Sequence, residues 1–576
     1  MRTLQGIPVG PGVAIGPAFW LRPAEGMPPQ RTIRKAEVDD EAARFRAALE
    51  TSRDELDRLS KASGFSGAVG SIAAGHREFL RDPTLLREVE DTIRNGRSAA
   101  DYAVAVVFRR WIEKFRSLED DFFRQRYVDL VDLERRVMRH LARDDRAGPK
   151  PSPDRPAVLL VPDLTPGEAI DLDRRSYVGF ATELGGATSH TAIVARSLNI
   201  PAVCGLGPLG DSVPQGAMVI VDGETGRLIV DPDSRTLEDF RRRQDMIRRR
   251  FRVLKRLAEL PAETPDGWPV AVHGNIEFPF EVEDAVQNGA DGIGLYRTEF
   301  LYAQRNALPD EEAHLQAYRE ALEHLKGRPL TIRTFDFGAD KFAAEMGLAG
   351  EPNPFLGCRS IRYSFARPEL FRTQLRAILR ASTQGRISLM FPMISSVTEM
   401  RRAKTILEQV REELRRDRVP FDAAMPAGAM VEIPSAAIAC DLLAKEVDFF
   451  SLGTNDLTQY TLAVDRTNDR VASLFRPSNP AILRLLRTVV REGERHAVPV
   501  SMCGEMAAER AYTLLLLGLG IRSFSVAPSA VPEVKRVVRS VTRRQAGEVV
   551  QGVWSLAAPE EVDAYLHDAA DRLLGD

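Results

Sequence analysis

The spacing of apolar and polar residues changes along the chain, and each change predicts a different kind of element. Residues 6–19 are small and apolar with several glycines and prolines, which predicts one or two strands and a tight turn. From about residue 36 to 142 the chain is charged, and Phe45, Leu49, Leu56 and Leu59 recur at the spacing of one helix face. We expect a helical bundle there. Its charges alone favour a solvated surface over a docking surface for a protein partner.

A pattern of buried strands begins after a proline-rich break at residues 148–156. Short apolar runs without polar alternation recur there, which is typical of strands that are covered on both faces. These runs lie at 158–161, 178–181, 201–204, 218–221 and 228–230. We expect these strands and the N-terminal strand segment to form one α/β unit, with the helical bundle inserted between them.

Residues 236–260 have the spacing of one long helix and contain many arginines. A helix of this charge suits either nucleic-acid binding or a solvated connection between domains. The connection is favoured, because the stretch lacks an aromatic stacking pattern and the chain as a whole is not basic.

From residue 267 onward, short apolar runs alternate with helical stretches over about 300 residues. The runs lie at 270–272, 292–296, 330–332, 388–391, 429–431, 449–452, 498–502 and 524–526. Eight strand–helix units over this length predict a (β/α)8 barrel. The predicted fold is therefore a multidomain α/β protein with a C-terminal TIM barrel.

Composition and charge narrow the possible functions. The chain has 576 residues, 44% hydrophobic and 28% charged, with a net charge of -3 and a pI near 6.3. These values are typical of a soluble protein of several domains and argue against a dedicated nucleic-acid binder. The cysteines are scattered without CxxC spacing, which suits a reducing cytoplasm, and neither a signal peptide nor a membrane-spanning run is found.

One histidine occupies a position suited to phosphate chemistry. In the run GGATSHTA at residues 185–192, the glycines allow a tight turn, and Thr188 and Ser189 can cap a helix over 192–198. His190 would lie near that helix N-terminus, where free N–H groups favour an anion. On this stretch alone, a histidine that only completes a turn is the more common case. The rest of the chain favours a catalytic role for His190.

Polar residues follow several of the predicted barrel strands. Arg297 follows the second strand, Arg333, Asp336 and Lys341 the third, Glu432 the fifth, Asn455 and Asp456 the sixth, and Cys503, Gly504 and Glu505 the seventh. The C-terminal ends of the strands meet at the face where TIM barrels carry their active sites. The guanidinium and ammonium groups there predict a site for phosphate and carboxylate.

Two carboxylates and one thiol at the same face extend this prediction. Glu432 and Asp456 would hold Mg²⁺ together with water and substrate oxygens. Magnesium and arginines together are what phosphoryl transfer needs, because they neutralise and align the transferring group. A single carboxylate is more often part of a salt bridge, and a lone buried cysteine is more often a core residue. Beside the cations, Cys503 is a candidate acid that protonates carbon.

The chain resembles enzyme I of the bacterial phosphotransferase system, the phosphoenolpyruvate–protein phosphotransferases. The matching runs cover nearly the whole chain in the family's order, and they are long enough to be specific together. They are GIPVGPGVAIG at 6–16, GGATSHTAIVAR at 185–196, GADGIGLYRTEFLY at 289–302, NPFLGCRSIR at 353–362, MVEIPSAA at 430–437, SLGTNDLTQYTLAVDR at 451–466 and MCGEMA at 502–507.

The resemblance implies a role for each candidate residue. His190 would be phosphorylated on Nε2 by phosphoenolpyruvate, and Cys503 would donate the proton that turns the enolate into pyruvate. Glu432 and Asp456 would bind Mg²⁺. The residues expected to bind phosphoenolpyruvate are Arg297, Arg333, Lys341, Arg359, Asn455, Asp456 and Arg466.

The resemblance also implies an organisation and partners. Residues 1–22 and 148–231 would form a swivelling phosphohistidine domain, and residues 23–147 an inserted helical domain that docks a histidine-containing phosphocarrier protein. Residues 232–262 would form the connecting helix, and residues 263–576 the barrel that binds phosphoenolpyruvate and forms a homodimer. The implied function is phosphoryl transfer from phosphoenolpyruvate through His190 to the phosphocarrier, the first step of sugar uptake.

Three positions depart from the family's pattern. Ala339 replaces a glycine in the run GADK at 338–341, and Cys358 stands where a tryptophan often precedes the loop arginine. Tyr127 and Val128 replace small residues in the helical domain. This last change leaves open a paralogue that feeds a nitrogen-related regulatory relay.

Two other functions are compatible with parts of the sequence. A pyruvate,phosphate dikinase or phosphoenolpyruvate synthase would share the histidine domain and the barrel. It would also need a nucleotide-binding domain, and no Gly-rich phosphate loop precedes the histidine. A catalytically silent phosphocarrier-binding scaffold would have lost His190, Cys503 or the magnesium carboxylates, and all of these are present.

Overall fold

The structure of the chain is a computed structural model. It describes residues 1–10, 12–21, 27–61, 76, 79–116, 127–141, 153, 155–162, 176–184, 200–210, 212–303, 308–336, 353–466, 468 and 470–575. These residues form two units, Met1–Arg250 and Phe251–Asp576, and each is described by itself. The predicted helix at 192–198, His190 and Lys341 lie outside the described residues. The finer domain boundaries given above stay a prediction.

The helical part of the first unit confirms the predicted bundle. Its helices are α1 (Val38–Lys61), α2 (Pro83–Arg94), α3 (Ala100–Arg116) and α4 (Tyr127–Leu141). The periodic residues Phe45, Leu49 and Leu56 are buried in a core that these helices share. Helix α2 begins after Asp82, whose carboxylate accepts hydrogen bonds from backbone N–H groups of the first turn.

Eight strands of the first unit form one sheet. They are β1 (Arg2–Gln5), β2 (Ile7–Gly10), β3 (Val13–Trp20), β4 (Ala157–Val161), β5 (Tyr177–Thr182), β6 (Ala202–Cys204), β7 (Met218–Asp222) and β8 (Arg227–Val230). Their order is β1-β8-β7-β3-β4-β5-β6-β2, so N-terminal strands pair with strands that follow the helical segment. Strands β1 and β2 lie at opposite ends of this order although only Gly6 separates them, which requires the sheet to curl.

A long helix, α5 (Ser234–Ala258), follows the sheet and confirms the helix predicted at 236–260. In the first unit, Leu237 and Phe240 pack on the apolar face of β3, β7 and β8. Arg243 pairs with Asp222 at 3.0 Å and with Glu224 at 2.6 Å. Apolar and ionic contacts therefore hold the first half of α5 on the sheet.

The second unit is a closed barrel of parallel strands, as predicted. The strands are β9 (Ala271–Ile276), β10 (Ile293–Tyr296), β11 (Leu330–Arg333), β12 (Ile387–Phe391), β13 (Ala427–Val431), β14 (Phe450–Leu452), β15 (Val500–Met502) and β16 (Ser523–Val526). They pair in sequence order, and β16 closes the barrel on β9 with Phe524 opposite Val272. Each predicted apolar run overlaps one of these strands.

Helices connect and surround the barrel strands. They are α6 (Glu281–Gln287), α7 (Phe300–Ala303), α8 (Glu311–Leu325), α9 (Ile361–Ala366), α10 (Pro368–Ala381), α11 (Val397–Arg416), α12 (Pro434–Ile438), α13 (Cys440–Leu443), α14 (Thr454–Leu462), α15 (Pro480–His496), α16 (Arg510–Leu519), α17 (Val531–Ser540), α18 (Arg543–Val553) and α19 (Pro559–Leu574). Across the described part of the chain, every helix is too short or too polar to cross a bilayer.

The barrel has two apolar regions. The larger core lies between the strands and the surrounding helices. A smaller inner core consists of Leu295, Met390, Met430 and Cys503, with Phe449 packed against it. Cys503 follows the last residue of β15, so the inner core extends to the C-terminal ends of the strands, where the polar candidates lie.

Candidate active site

Arginine and carboxylate side chains converge at the C-terminal ends of β10 and β11. Arg333, the last residue of β11, places Nη1 2.6 Å from Asp336 Oδ2 and Nη2 3.0 Å from Glu299 Oε1. Arg359 reaches Asp336 Oδ1 through Nη2 at 3.3 Å. The side chains of both arginines and of Asp336 are at most 10% exposed. Asp336 therefore bridges two arginines that the sequence predicts as substrate ligands.

The charged side chains of this cluster stabilise one another in their ionised forms. Burial alone would lower the pKa of Arg333, but the carboxylates of Asp336 and Glu299 outweigh it and raise that pKa. Burial raises the pKa of Asp336, and Arg333 and Arg359 lower it by more. The three side chains of Arg333, Asp336 and Arg359 therefore stay ionised at neutral pH.

Arg359 is also fixed from its other side. Its Nη1 donates to the hydroxyl of Tyr460 at 3.1 Å, and that hydroxyl donates to the carbonyl of Phe355 at 2.6 Å. The guanidinium carbon lies 5.7 Å from the centre of the Phe355 ring. These contacts connect the loop before α9 with α14 and hold the guanidinium in one orientation.

The two predicted metal ligands follow neighbouring strands. Glu432, which is 1% exposed, comes directly after β13, and Asp456 lies in the first turn of α14 after β14. Burial and repulsion from Asp456 raise the pKa of Glu432, and burial and Asp336 raise the pKa of Asp456. Two carboxylates that repel each other are suited to a divalent cation.

Glu432 and Asp456 suit Mg²⁺ better than a metal ion whose ligands all come from protein side chains. The described residues contain no group of three or more His, Cys, Asp or Glu side chains that could hold an ion. Glu432 and Asp456 would therefore need water and substrate oxygens as further ligands, which is how Mg²⁺ is commonly bound.

The backbone around Glu432 is arranged to hold its carboxylate. Oε1 accepts a hydrogen bond from the N–H of Met393 at 2.6 Å, and Met393 has a left-handed φ of 54°. This conformation is costly for a residue with a side chain, and it directs the N–H at the carboxylate. On the other side, a Cβ on Gly453 would lie 2.9 Å from Oε2, so a larger residue there would displace the Glu432 carboxylate.

Cys503 is a buried thiol at the same face. Its Sγ accepts a hydrogen bond from Ser451 Oγ at 3.2 Å and lies 3.4 Å from the carbonyl oxygen of Leu452. Its own carbonyl accepts from Asn275 Nδ2 at 3.1 Å. Burial raises the pKa of the thiol to about 11, against a smaller lowering by Ser451. At neutral pH this thiol is therefore protonated.

Three predicted ligands lie nearer the solvent. Asn455 Nδ2 donates to Glu505 Oε1 at 3.0 Å, and Arg466 Nη1 lies 3.8 Å from the same oxygen. Arg297 Nη1 lies 2.8 Å from Glu277 Oε1, and its side chain is 33% exposed. An anionic ligand can replace these carboxylate partners at little cost, because exposed ion pairs are weak.

The structure brings most of the predicted site residues to one face of the barrel. The charge of Glu432 raises the pKa of Cys503, and the charges of Arg333 and Arg297 lower it. Arg359 and Arg466 act on the pKa of Asp456 in the same way. The predicted His190, Lys341 and the run at 338–341 lie outside the described residues, so their placement stays a prediction.

Sequence reasoning missed several residues that shape this site. Glu299, Ser451 and Tyr460 were not singled out, although each lies within one of the family-like runs quoted above. Glu299 stands two positions after Arg297, and Ser451 begins the run that contains Asn455 and Asp456. Their place within those runs is the signal that could have identified them.

Three family models match successive parts of the chain. Residues 5–126 match the PEP-utilising enzyme N-terminal model, and residues 153–226 match the PEP-utilising enzyme mobile domain. Residues 252–543 match the PEP-utilising enzyme PEP-binding domain, so this model alone includes the barrel strands and the convergent side chains.

Curated relatives match over nearly their full length. Proteins named phosphoenolpyruvate-protein phosphotransferase share 38% identity in Priestia megaterium, over 97% of this chain and 98% of the relative, and 39% in Geobacillus stearothermophilus, over 98% of each chain. The protein of that name in Bacillus subtilis (strain 168) is 38% identical over 99% of this chain and its own full length. The chain therefore belongs to the phosphoenolpyruvate–protein phosphotransferase family.

Proposed function

We propose that the chain transfers the phosphoryl group of phosphoenolpyruvate to Nε2 of His190, releases pyruvate, and then passes the group to a histidine of a small phosphocarrier protein. This reaction is the first step of the phosphotransferase system for sugar uptake. Membership of the family supports the proposal. The structural observation that carries it is the buried cluster of Arg333, Asp336 and Arg359 beside the protonated thiol of Cys503.

The arginine cluster is suited to bind the phosphate and carboxylate of phosphoenolpyruvate. Planar guanidinium groups bind both anions through paired hydrogen bonds. Asp336 and Tyr460 hold Arg333 and Arg359 in place without a ligand, so little reorganisation accompanies binding. The more exposed Arg297, Asn455 and Arg466, together with Lys341, would complete the site.

The transfer step moves one phosphoryl group and one proton. The bond between phosphorus and the enol oxygen breaks, a bond between phosphorus and His190 Nε2 forms, and the electron pair stays on the enolate of pyruvate. Cys503 then gives its S–H proton to C3 of the enolate, which forms pyruvate and leaves a thiolate. The hydroxyl of Ser451, 3.2 Å from the sulfur, stabilises that thiolate by a hydrogen bond.

Glu432 and Asp456 would hold Mg²⁺ at this face, together with water and oxygens of the substrate. When bound, Mg²⁺ supplies positive charge that stabilises the phosphoryl and enolate oxygens. Asp456 is thus proposed both as a ligand that would hold the metal and as a residue of the phosphoenolpyruvate site.

The other predicted features belong to the same proposal. The helical domain at residues 23–147 docks the phosphocarrier, and the domain of residues 1–22 and 148–231 carries His190 and swivels on the helix of residues 232–262. The barrel at residues 263–576 binds phosphoenolpyruvate and forms the homodimer. A cytoplasmic location belongs to the same proposal, because the four cysteines are scattered along the sequence without CxxC spacing, which suits a reducing compartment.

Exchange of isotope-labelled pyruvate into phosphoenolpyruvate tests the first half-reaction, because it needs only this chain, Mg²⁺ and the two small molecules. We expect exchange by the wild type, none by His190→Ala, and a loss of roughly 100-fold or more in Cys503→Ala through lack of the proton donor. Cys440→Ala is the matched control, since Cys440 is a buried free cysteine outside the site. Exchange by His190→Ala would refute the assignment.

A further inference from the structure

A buried glutamine lies behind the arginine cluster. Gln374 is in the middle of α10 and is fully buried. It is the only polar residue among those that α10 buries; its neighbours on that face include Phe371, Leu375 and Ile378. A buried amide must find hydrogen-bond partners, because an unsatisfied one bears the full cost of its desolvation. The hydrogen-bond partners of Gln374 therefore indicate which segments it holds in place.

The amide of Gln374 contacts both segments that carry the arginines. Its Oε1 accepts a hydrogen bond from the backbone N–H of Phe335 at 3.0 Å. Its Nε2 donates to Thr298 Oγ1 at 2.9 Å, and Thr298 Oγ1 in turn donates to the carbonyl oxygen of Arg333 at 3.2 Å. One side chain thus connects the segment after β10 with the segment after β11.

These two segments position the charged cluster. Thr298 lies between Arg297 and Glu299, and Phe335 lies between Arg333 and Asp336. Glu299 Oε1 also accepts the backbone N–H of Asp336 at 2.9 Å. A shift of either segment would therefore move a guanidinium group or the carboxylates that orient it.

Helix α8 fixes the orientation of the amide. Nε2 of Gln374 also donates to the hydroxyl of Tyr318 at 3.3 Å, and this hydroxyl lies 3.1 Å from Nδ1 of His314. Tyr318 and His314 are buried on the same helix, four residues apart. With Oε1 facing an N–H donor and Nε2 facing two hydroxyl oxygens, only one orientation of the amide satisfies all of its partners.

We propose that Gln374 is a positioning residue for phosphoenolpyruvate binding, acting through Thr298 and the backbone of Phe335 on Arg297, Arg333 and Asp336. The inference rests on the proposed function, since it assigns a role in binding that substrate. Interactions with the carboxylate and phosphate exist before and during the transfer. Loss of their alignment therefore acts mainly on KM and less on kcat.

The test measures KM and kcat for phosphoenolpyruvate in the pyruvate exchange reaction of the full chain. Gln374→Met keeps the volume and removes the amide, and Thr298→Val removes the hydroxyl that joins it to Arg333. We expect each to raise KM about 10-fold while kcat changes by less than about 3-fold. Leu375→Met is the control, because Leu375 is a fully buried neighbour on α10 outside the network. It should leave KM unchanged.

A double-mutant cycle separates positioning from general destabilisation. If both residues act through one chain of hydrogen bonds, Gln374→Met combined with Thr298→Val should raise KM no more than about 2-fold beyond either single change. If KM of the double variant instead rises by the product of the two single effects, about 100-fold, the two residues act independently, and the inference is overturned.

Gln374→Glu provides a second variant that does not depend on the first one folding. The protonated carboxyl keeps the oxygen that accepts from Phe335 and has one O–H donor, whereas the carboxylate has none. Burial raises the pKa of such a group, so the ratio of the variant KM to the wild-type KM should rise with increasing pH. If the wild type exchanges pyruvate, a KM ratio that stays constant with pH would overturn this inference alone. An unchanged KM in all of the variants would do the same. A folded wild type without exchange would overturn the proposed function as well.

Discussion

Asp336 is the residue on which the charge arrangement at the barrel mouth depends. It contacts Arg333 and Arg359, and all three side chains are nearly excluded from water. Buried ion pairs contribute little net stability, because desolvation offsets their attraction. The arrangement is therefore better explained by a ligand that needs two fixed guanidinium groups than by a need for stability.

Removal of the Asp336 charge should have a large effect on stability. Asp336→Asn removes the negative charge that Arg333 and Arg359 share, so two buried guanidinium groups lose part of their counter-charge. We expect the free energy of unfolding of the barrel to fall by roughly 3–5 kcal/mol. The measurement is the urea midpoint of the barrel unfolding transition. Glu312→Gln is the control, since Glu312 is 67% exposed in its ion pair with Arg380 and should change the midpoint little. Equal midpoints for both variants would contradict the described pairing.

The raised pKa of Cys503 predicts the pH dependence of its reactivity. The folded pKa of about 11 lies above the value of about 8.5 for a free thiol. The protonated form is thus favoured by folding, and this stabilisation is lost as pH rises from the free value towards the folded one. Alkylation of Cys503 by iodoacetamide, followed by peptide mass spectrometry, should be slow at pH 8 and still rising at pH 10. A rate that levels off near pH 7 would contradict a protonated acid, and urea-unfolded protein gives the reference curve.

At the scale of elements, the contact between the loop after β15 and the first turn of α14 positions Cys503. A Cβ on Gly504 would overlap Thr454 Oγ1 and lie 2.9 Å from the Thr454 nitrogen. Gly504→Ala should therefore displace the neighbouring thiol and lower pyruvate exchange about 10-fold or more. Gly547→Ala is the control, because a Cβ there meets nothing within 4 Å and should stabilise α18 by roughly 0.5–1 kcal/mol. Equal exchange rates in the two variants would contradict this account of the loop.

The elements of the barrel could be predicted because their burial is encoded locally. A parallel strand covered on both faces needs a continuous apolar run, and each such run became a strand. The polar residues that follow several of these runs then mark the active face of a barrel. Strand β1, Arg2–Gln5, was missed because its residues are largely exposed and form no apolar run.

The partners of the site residues could not be predicted in the same way. In the sequence, Gln374 is one polar position on an apolar helix face. Only its hydrogen bonds to Thr298 and Phe335, in the segments after β10 and β11, show what it contacts. Likewise, the bridge from Arg359 to Tyr460 joins residues 101 positions apart. Local spacing contains no information on such pairs, since they depend on which elements the fold places side by side.

At the scale of the whole molecule, the proposed homodimer requires an apolar surface on the barrel. Ile438 at the end of α12 is 68% exposed, and Leu442 in α13 is 49% exposed. The two residues lie only four positions apart in the chain, and neighbouring exposed apolar side chains, unlike single ones, mark a surface that a partner can cover. We expect Ile438→Asp combined with Leu442→Asp to shift the chain to a monomer in light scattering after size-exclusion chromatography. Met246→Asp, at a 64% exposed position on α5, is the control. A wild type that is already monomeric would contradict the proposed dimer.

The central claim is that phosphoenolpyruvate phosphorylates His190 and that the phosphoryl group then leaves for a phosphocarrier. The most direct test is the intact mass of the purified chain after incubation with phosphoenolpyruvate and Mg²⁺, before and after a candidate phosphocarrier is added. We expect an acid-labile gain of one phosphoryl group in the wild type, its loss to the carrier, and no gain in His190→Ala. A labelled His190→Ala variant, or a folded wild type that gains nothing, would contradict it.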